Sequence, residues 1–157
     1  MPNALFYVMP VEANCSPTDA AEQVSHLACV LSQQAFIEQK LVYIHCKDRE
    51  QAYGVDELLW QFEPSAFVPH SLKGEGPTTG APVEIGFDTL GPNKNRHLLI
   101  NLADQVPSFA VNFGQIIDFV ANDAGLKALA RERYRQYQSL GVVLQTQDRS
   151  KTTTNLV

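Results

Sequence analysis

The sequence predicts a three-layer α/β/α sandwich with a mostly parallel central sheet. Short β-rich runs alternate with longer helical segments along the 157 residues, and this alternation is typical of helices packed on both faces of a parallel sheet. The length and the 45% hydrophobic content fit one globular domain. We expect that domain to span residues 1–145. Residues 146–157 (TQDRSKTTTNLV) lack periodicity and are predicted to be a flexible C-terminal tail.

The first two predicted elements are a strand over 4–9 (ALFYVM) and a helix that reaches about Gln39. The helix has a complete start signal. Ser16 supplies a hydroxyl cap, Pro17 takes the first helical position, and Asp19 stands three residues after the cap. These residues satisfy free amides and complement the helix dipole, so the helix start is predicted at this point.

A second strand over 41–45 (LVYIH) precedes a second helix, which runs from Asp48 to near Phe62. Ala52, Val55, Leu59 and Phe62 form its predicted core stripe. Trp60 lies roughly 130° from the centre of that stripe, so it should face away from the sheet. An outward tryptophan is typical of a protein interface. The alternative is that the following loop covers Trp60 within the monomer.

Further strands are predicted over 83–87, 97–102 and 115–121, followed by a last helix over about 124–140. Asn122 or Asp123 would cap this helix, and Gly141 would end it. One broad arc of the helix is expected to face the core. Its members are Leu126, Leu129, Ala130, Arg133, Tyr137 and Leu140.

A second arc of the last helix, about 130° away, carries Lys127, Arg131, Tyr134 and Arg135. The whole chain has 12 basic and 17 acidic residues, which argues against a wide grip on a nucleic-acid backbone. A basic stripe on an acidic protein instead suits a carboxylate-rich ligand, because arginine donates bidentate hydrogen bonds to carboxylates. The alternative is a solvated helix face with an Asp123–Lys127 ion pair.

Catalytic, metal and nucleotide sites are not indicated by the sequence motifs. Gly74, Gly76 and Gly80 match neither of the common phosphate-binding glycine motifs and follow the second helix, so a turn is expected there. The three cysteines form no C-x-x-C pair, and the four histidines lack ligand spacing. We therefore expect no cofactor and no metal. Because no apolar run approaches the roughly 20 residues of a membrane span and no signal peptide is recognisable, a cytoplasmic protein is expected.

Three segments carry a family resemblance: QAYGVDELLW at 51–60, SAFVPHSLKGEGPTTGAPVEIG at 65–86 and LKALARERYRQYQSLG at 126–141. They closely resemble the chi subunit of bacterial DNA polymerase III holoenzyme, and the resemblance extends to about residue 145. It implies a non-enzymatic clamp-loader accessory protein whose fold is similar to nucleotide-binding domains without a bound nucleotide. It also implies two partners. One is the psi subunit, which links chi to the clamp loader, and the other is the acidic C-terminal tail of single-stranded DNA-binding protein.

The resemblance assigns residues to both partners. For the tail it implies Lys127, Arg131, Tyr134 and Arg135 on the last helix, with Val120 in the apolar pocket. For the psi subunit it implies Trp60 and Phe67. The chain would then contact nucleic acid only indirectly.

Two positions depart from the family pattern. Gly54 stands mid-helix where a larger residue is common, and Arg135 stands where lysine is frequent. Two other hypotheses remain open from the residues alone. One is a small nucleotide-dependent enzyme that uses loop 74–80, and the other is direct binding of single-stranded DNA.

Overall fold

The computed structural model describes residues 2–10, 15–62, 67–75, 80–92 and 94–149. Within them, seven strands form one sheet in the order β3-β4-β2-β5-β6-β1-β7, and every pairing is parallel. The strands are β1 Asn3–Val8, β2 Val42–His45, β3 His70–Leu72, β4 Val83–Gly86, β5 Leu98–Asn101, β6 Gln115–Val120 and β7 Val143–Asp148.

Three α-helices cover the two faces of this sheet. They are α1 Pro17–Ile37, α2 Arg49–Gln61 and α3 Ala124–Ser139, and a short 3-10 helix spans Ala110–Asn112. Helices α1 and α2 pack on one face, where Ile44 and Ile100 point. Helix α3 and the 3-10 helix pack on the other face, against residues such as Tyr43 and Phe6. The predicted three-layer α/β/α architecture is confirmed.

The helices begin where the capping residues predict. The side chain of Ser16 accepts a hydrogen bond of 3.0 Å from the amide of Asp19, and the Asp19 carboxylate accepts one in return from the Ser16 amide. Asp48 caps α2 through a 2.8 Å bond from the amide of Gln51. Of the two predicted caps for α3, Asp123 is the one that acts. Its carboxylate accepts a hydrogen bond of 3.0 Å from the Leu126 amide.

Two strands were not predicted. β3 has only three residues, too few for a periodic signal. β7 is an edge strand that leaves most of its residues exposed or half-buried, so its sequence (VLQTQD) shows no apolar run. Its in-register pairing with β1 extends to Asp148. The predicted start of a flexible tail at residue 146 is therefore wrong by three residues, and residues 150–157 lie outside the described part of the chain.

Candidate protein-binding sites

The basic surface of the molecule consists of Lys127, Arg131, Tyr134 and Arg135 on the outer side of α3. The two arginines are exposed, and Lys127 and Tyr134 are half-buried. The three cations recur every four residues, so they form a single row about 12 Å long on the helix. The predicted basic stripe therefore forms a continuous surface on α3.

An apolar floor lies beside this row. The ring of Tyr134 packs 5.4 Å from the ring of Phe6 in β1, measured between centroids. Val120, at the end of β6, is half-buried against the same apolar cluster, as is Leu144 of β7. Strands β6, β1 and β7 are adjacent in the sheet, and Phe6, Val120 and Leu144 all lie on the face that α3 covers. The structure therefore places Val120 and Tyr134 in one cluster.

The cations differ in their ionic partners. Nη1 of Arg135 lies 3.2 Å from Oε2 of Glu132, one turn earlier on the helix, and both side chains are largely exposed. The alternative Asp123–Lys127 ion pair is absent from the described residues, because the Asp123 carboxylate caps the helix instead. Within the same residues, neither Lys127 nor Arg131 forms an ion pair. Two of the three cations are available to an anionic ligand.

A buried polar network holds α3 on the sheet, and sequence reasoning missed it. Asp118 of β6 is fully buried and receives hydrogen bonds from Nε of Arg133 at 3.1 Å, from the Tyr137 hydroxyl at 2.8 Å and from the Asn101 amide at 3.2 Å. Burial raises the pKa of Tyr137 well above its ordinary value, and the neighbouring carboxylate raises it further, so the hydroxyl remains the donor. The sequence held one signal for this network, which was the presence of Arg133 within an otherwise apolar arc of the last helix.

That arc is narrower than predicted. Ala130, Arg133 and Tyr137 are buried, whereas Leu129 and Leu140 are 38% and 51% exposed. Expecting Leu129 and Leu140 in the core was wrong, because α3 turns only the Arg133 side of the arc towards Asp118. On α2, by contrast, the predicted core stripe is buried except at its half-buried last member.

The aromatic surface consists of Trp60 and Phe67. Their side chains are 58% and 62% exposed, and the ring centroids are 5.5 Å apart. Trp60 faces away from the sheet as predicted. The neighbouring segment contacts one side of the indole without covering it, so the alternative in which the loop buries Trp60 does not hold.

His70 lies beneath the aromatic surface. Its ring is 4.8 Å from that of Trp60 in an edge-on arrangement, and its Nδ1 lies 2.7 Å from the carbonyl oxygen of Val68. Its Nε2 is 3.3 Å from Oδ1 of Asp56, which is an ion-pair distance without hydrogen-bond geometry. These contacts connect α2 to the start of β3 and fix the indole from below. Nothing in the local sequence around His70 indicated this role.

The glycine-rich loop joins β3 to β4. Gly74 and Gly80 have φ angles of +86° and +79°, a conformation that favours glycine. A Cβ on Gly80 would lie 2.5 Å from Nη2 of the buried Arg96. Gly76 lies outside the described residues. The described part of the loop leads into β4 and not into a helix, so it offers no helix N-terminus of the kind on which phosphate-binding loops depend.

Two other kinds of site are absent from the described residues. They contain no group of three or more histidine, cysteine or acidic side chains that could hold a metal ion. Among them, no helix is long and apolar enough to cross a membrane.

Comparison with known proteins gives the family. The model of the family "DNA polymerase III chi subunit, HolC" matches residues 1–145. The DNA polymerase III subunit chi of Escherichia coli is 40% identical over 93% of this chain and 97% of its own length. The subunit chi of Haemophilus influenzae is 41% identical over 92% of this chain and 96% of its own length. That of Pseudomonas aeruginosa is 35% identical over 89% of this chain and 92% of its own length.

Among solved structures, the crystal structure of T4 UvsW superposes with a TM-score of 0.62 at 9% identity, over 93% of this chain and 41% of that one. At this identity the likeness concerns the α/β fold alone. Family assignment depends instead on the relatives that match nearly end to end. The chain belongs to the family of DNA polymerase III chi subunits.

Proposed function

We propose that this chain is a non-catalytic clamp-loader accessory subunit that links the replicase to protein-coated single-stranded DNA. It binds the psi subunit through Trp60 and Phe67. It binds the acidic C-terminal tail of single-stranded DNA-binding protein through the basic surface and Val120. Action in the cytoplasm, where replication takes place, belongs to the same proposal.

One observation carries this proposal. The two surfaces lie on opposite faces of the sheet, since α2 packs on one face and α3 on the other. They also lie towards opposite ends of it, because α2 contacts β3 and β4 while α3 contacts β6 and β7. Two ligands on such surfaces do not compete for space. This arrangement suits a linker that holds both partners at once.

The chemistry of the basic surface fits an acidic tail that ends in phenylalanine. The row of cations attracts several aspartates, and the Tyr134–Val120 cluster offers the terminal ring an apolar contact. The terminal carboxylate needs a hydrogen-bonding cation. Arg131 is the central member of the row and has no ion-pair partner among the described residues, so we assign this role to it.

The test is tail-peptide binding by isothermal titration to wild type and to Arg131→Ala at physiological salt. The variant should lose about 2 to 5 kcal/mol of binding free energy, because it leaves a desolvated carboxylate unpaired. Arg49→Ala is the matched control, since it removes an exposed arginine from the opposite face. Wild-type affinity in the Arg131 variant would contradict the assignment.

Psi binding and the enzymatic alternative need separate measurements. Trp60→Ala and Phe67→Ala should each weaken psi binding by about 2 kcal/mol or more while the free subunit stays folded, because both side chains are exposed. A thermal shift by ATP, GTP or NAD without one by the tail peptide would instead favour a nucleotide-dependent enzyme.

A further inference from the structure

The exposed aromatic side chains of the described residues are concentrated in one region. They are Tyr53, Trp60, Phe67 and Phe87, with exposures of 49%, 58%, 62% and 38%. The other exposed large apolar residues in the described part are aliphatic and lie on other elements or loops. Exposed aromatic clusters mark protein interfaces, because aromatic anchors contribute much of the binding energy. Tyr53 and Phe87 lie outside the aromatic surface that Trp60 and Phe67 form.

Helix α2 connects the four aromatics. Arg49, Tyr53, Asp56 and Trp60 are spaced by four, three and four residues, so they fall on one narrow stripe of the helix. At 1.5 Å per residue this stripe is about 16 Å long. It runs straight along the helix, and Tyr53 occupies its middle.

Both ends of the stripe pair with an aromatic ring from outside the helix. At one end Trp60 contacts Phe67 at 5.5 Å. At the other end the guanidinium carbon of Arg49 lies 5.8 Å from the ring centroid of Phe87, which directly follows β4. Arg49 forms no ion pair within the described residues, so its donors remain available to a carboxylate. The Arg49 end of the stripe therefore combines an arginine with an aromatic ring, and such side chains contribute much of the binding energy at protein interfaces.

We propose that the partner that covers Trp60 and Phe67 also covers Tyr53 and Phe87, in one continuous interface along the whole of α2. This inference rests on the proposed psi interface and extends it. A straight stripe of this spacing fits a partner helix of about three turns that lies along α2. That helix places an apolar side chain against Tyr53 and an acidic side chain beside Arg49.

The test compares the affinity of psi for Tyr53→Ala and Phe87→Ala with its affinity for the wild-type chain. Each variant should bind psi roughly tenfold more weakly. Arg49→Glu should weaken binding as well, and more strongly at low salt, because it opposes the partner's carboxylate. Leu140→Ala is the control, since Leu140 is 51% exposed and ends α3, on the opposite face of the sheet. It should bind like wild type.

Failure of this inference and failure of the proposed function give different results. If Trp60→Ala weakens psi binding while Tyr53→Ala and Phe87→Ala bind like wild type, the interface is confined to one end and the inference is wrong. If Trp60→Ala also binds like wild type, the psi assignment itself is wrong. Thermal unfolding identifies a variant that loses affinity by misfolding. Tyr53→Ala should keep the wild-type midpoint, since an exposed helix position accepts alanine.

Discussion

Nε of Arg133 lies 3.1 Å from each carboxylate oxygen of Asp118, and this buried pair ties α3 to β6. The remaining donors of the guanidinium reach the carbonyl oxygens of Asp104 and Phe119 at 3.2 and 3.0 Å. The basic surface lies on the opposite side of the same helix. The position of the basic surface relative to Val120 and Phe6 therefore depends on this buried pair.

Asp118→Ala should lower the free energy of unfolding by about 3 to 5 kcal/mol, because it leaves the Arg133 charge buried without its partner. Urea denaturation measures this loss. Glu132→Ala, one residue from Arg133 but exposed, should change stability by less than about 0.5 kcal/mol. A loss below about 1 kcal/mol in the Asp118 variant would show that the pair does not hold the helix.

Glu132→Gln should strengthen binding of the acidic tail peptide. Glu132 pairs with Arg135 at 3.2 Å and repels the incoming aspartates, so its neutralisation frees one cation and removes one anion. We expect a gain of roughly two- to fivefold at low salt, as for an exposed ion pair. The gain should shrink as salt is added, because exposed charges are screened. Peptide titration over a salt series checks both statements, and weaker binding at low salt would contradict them.

Gly54→Ala should stabilise the protein by about 1 kcal/mol, since glycine is a poor residue for a helix interior. A Cβ at this position meets nothing within 4 Å, so the substitution creates no clash. Thermal unfolding should show a midpoint about 2 to 4 °C higher. Gly86→Ala should instead destabilise the protein, because its Cβ would overlap the hydroxyl of Tyr43. Equal effects at the two glycines would contradict the packing described here.

His45 makes the fold sensitive to acid. Burial lowers the pKa of this imidazole from 6.5 to about 4, and the charge of Asp88 only partly opposes the shift. Since the folded pKa lies below the unfolded one, stability is complete above about pH 6.5 and falls as the pH drops towards 4. The loss is on the order of 3 kcal/mol. His45→Phe, which keeps a ring beside Phe109, should lose less stability over that window in urea denaturation. If the free energy of unfolding falls equally with pH in wild type and in His45→Phe, His45 does not cause the acid sensitivity.

Features that depend on neighbouring residues could be predicted from the amino-acid sequence. Ser16, Asp48 and Asp123 set the helix starts, because a cap acts on amides two or three residues away. Helical spacing was sufficient to place Lys127, Arg131 and Arg135 in one row and to turn Trp60 outward.

Features that join distant segments of the chain could not be predicted in this way, because they depend on the folded arrangement. β7 became a strand because β1 pairs with it across more than a hundred residues, and its own exposed sequence carried no signal. Arg133 looked like a member of an apolar arc until the fold placed Asp118 opposite it. Trp60 and Phe67 form one surface because His70 fixes the indole beneath them. Local rules cannot give such contacts, because their energy arises only once the sheet order has brought the segments together.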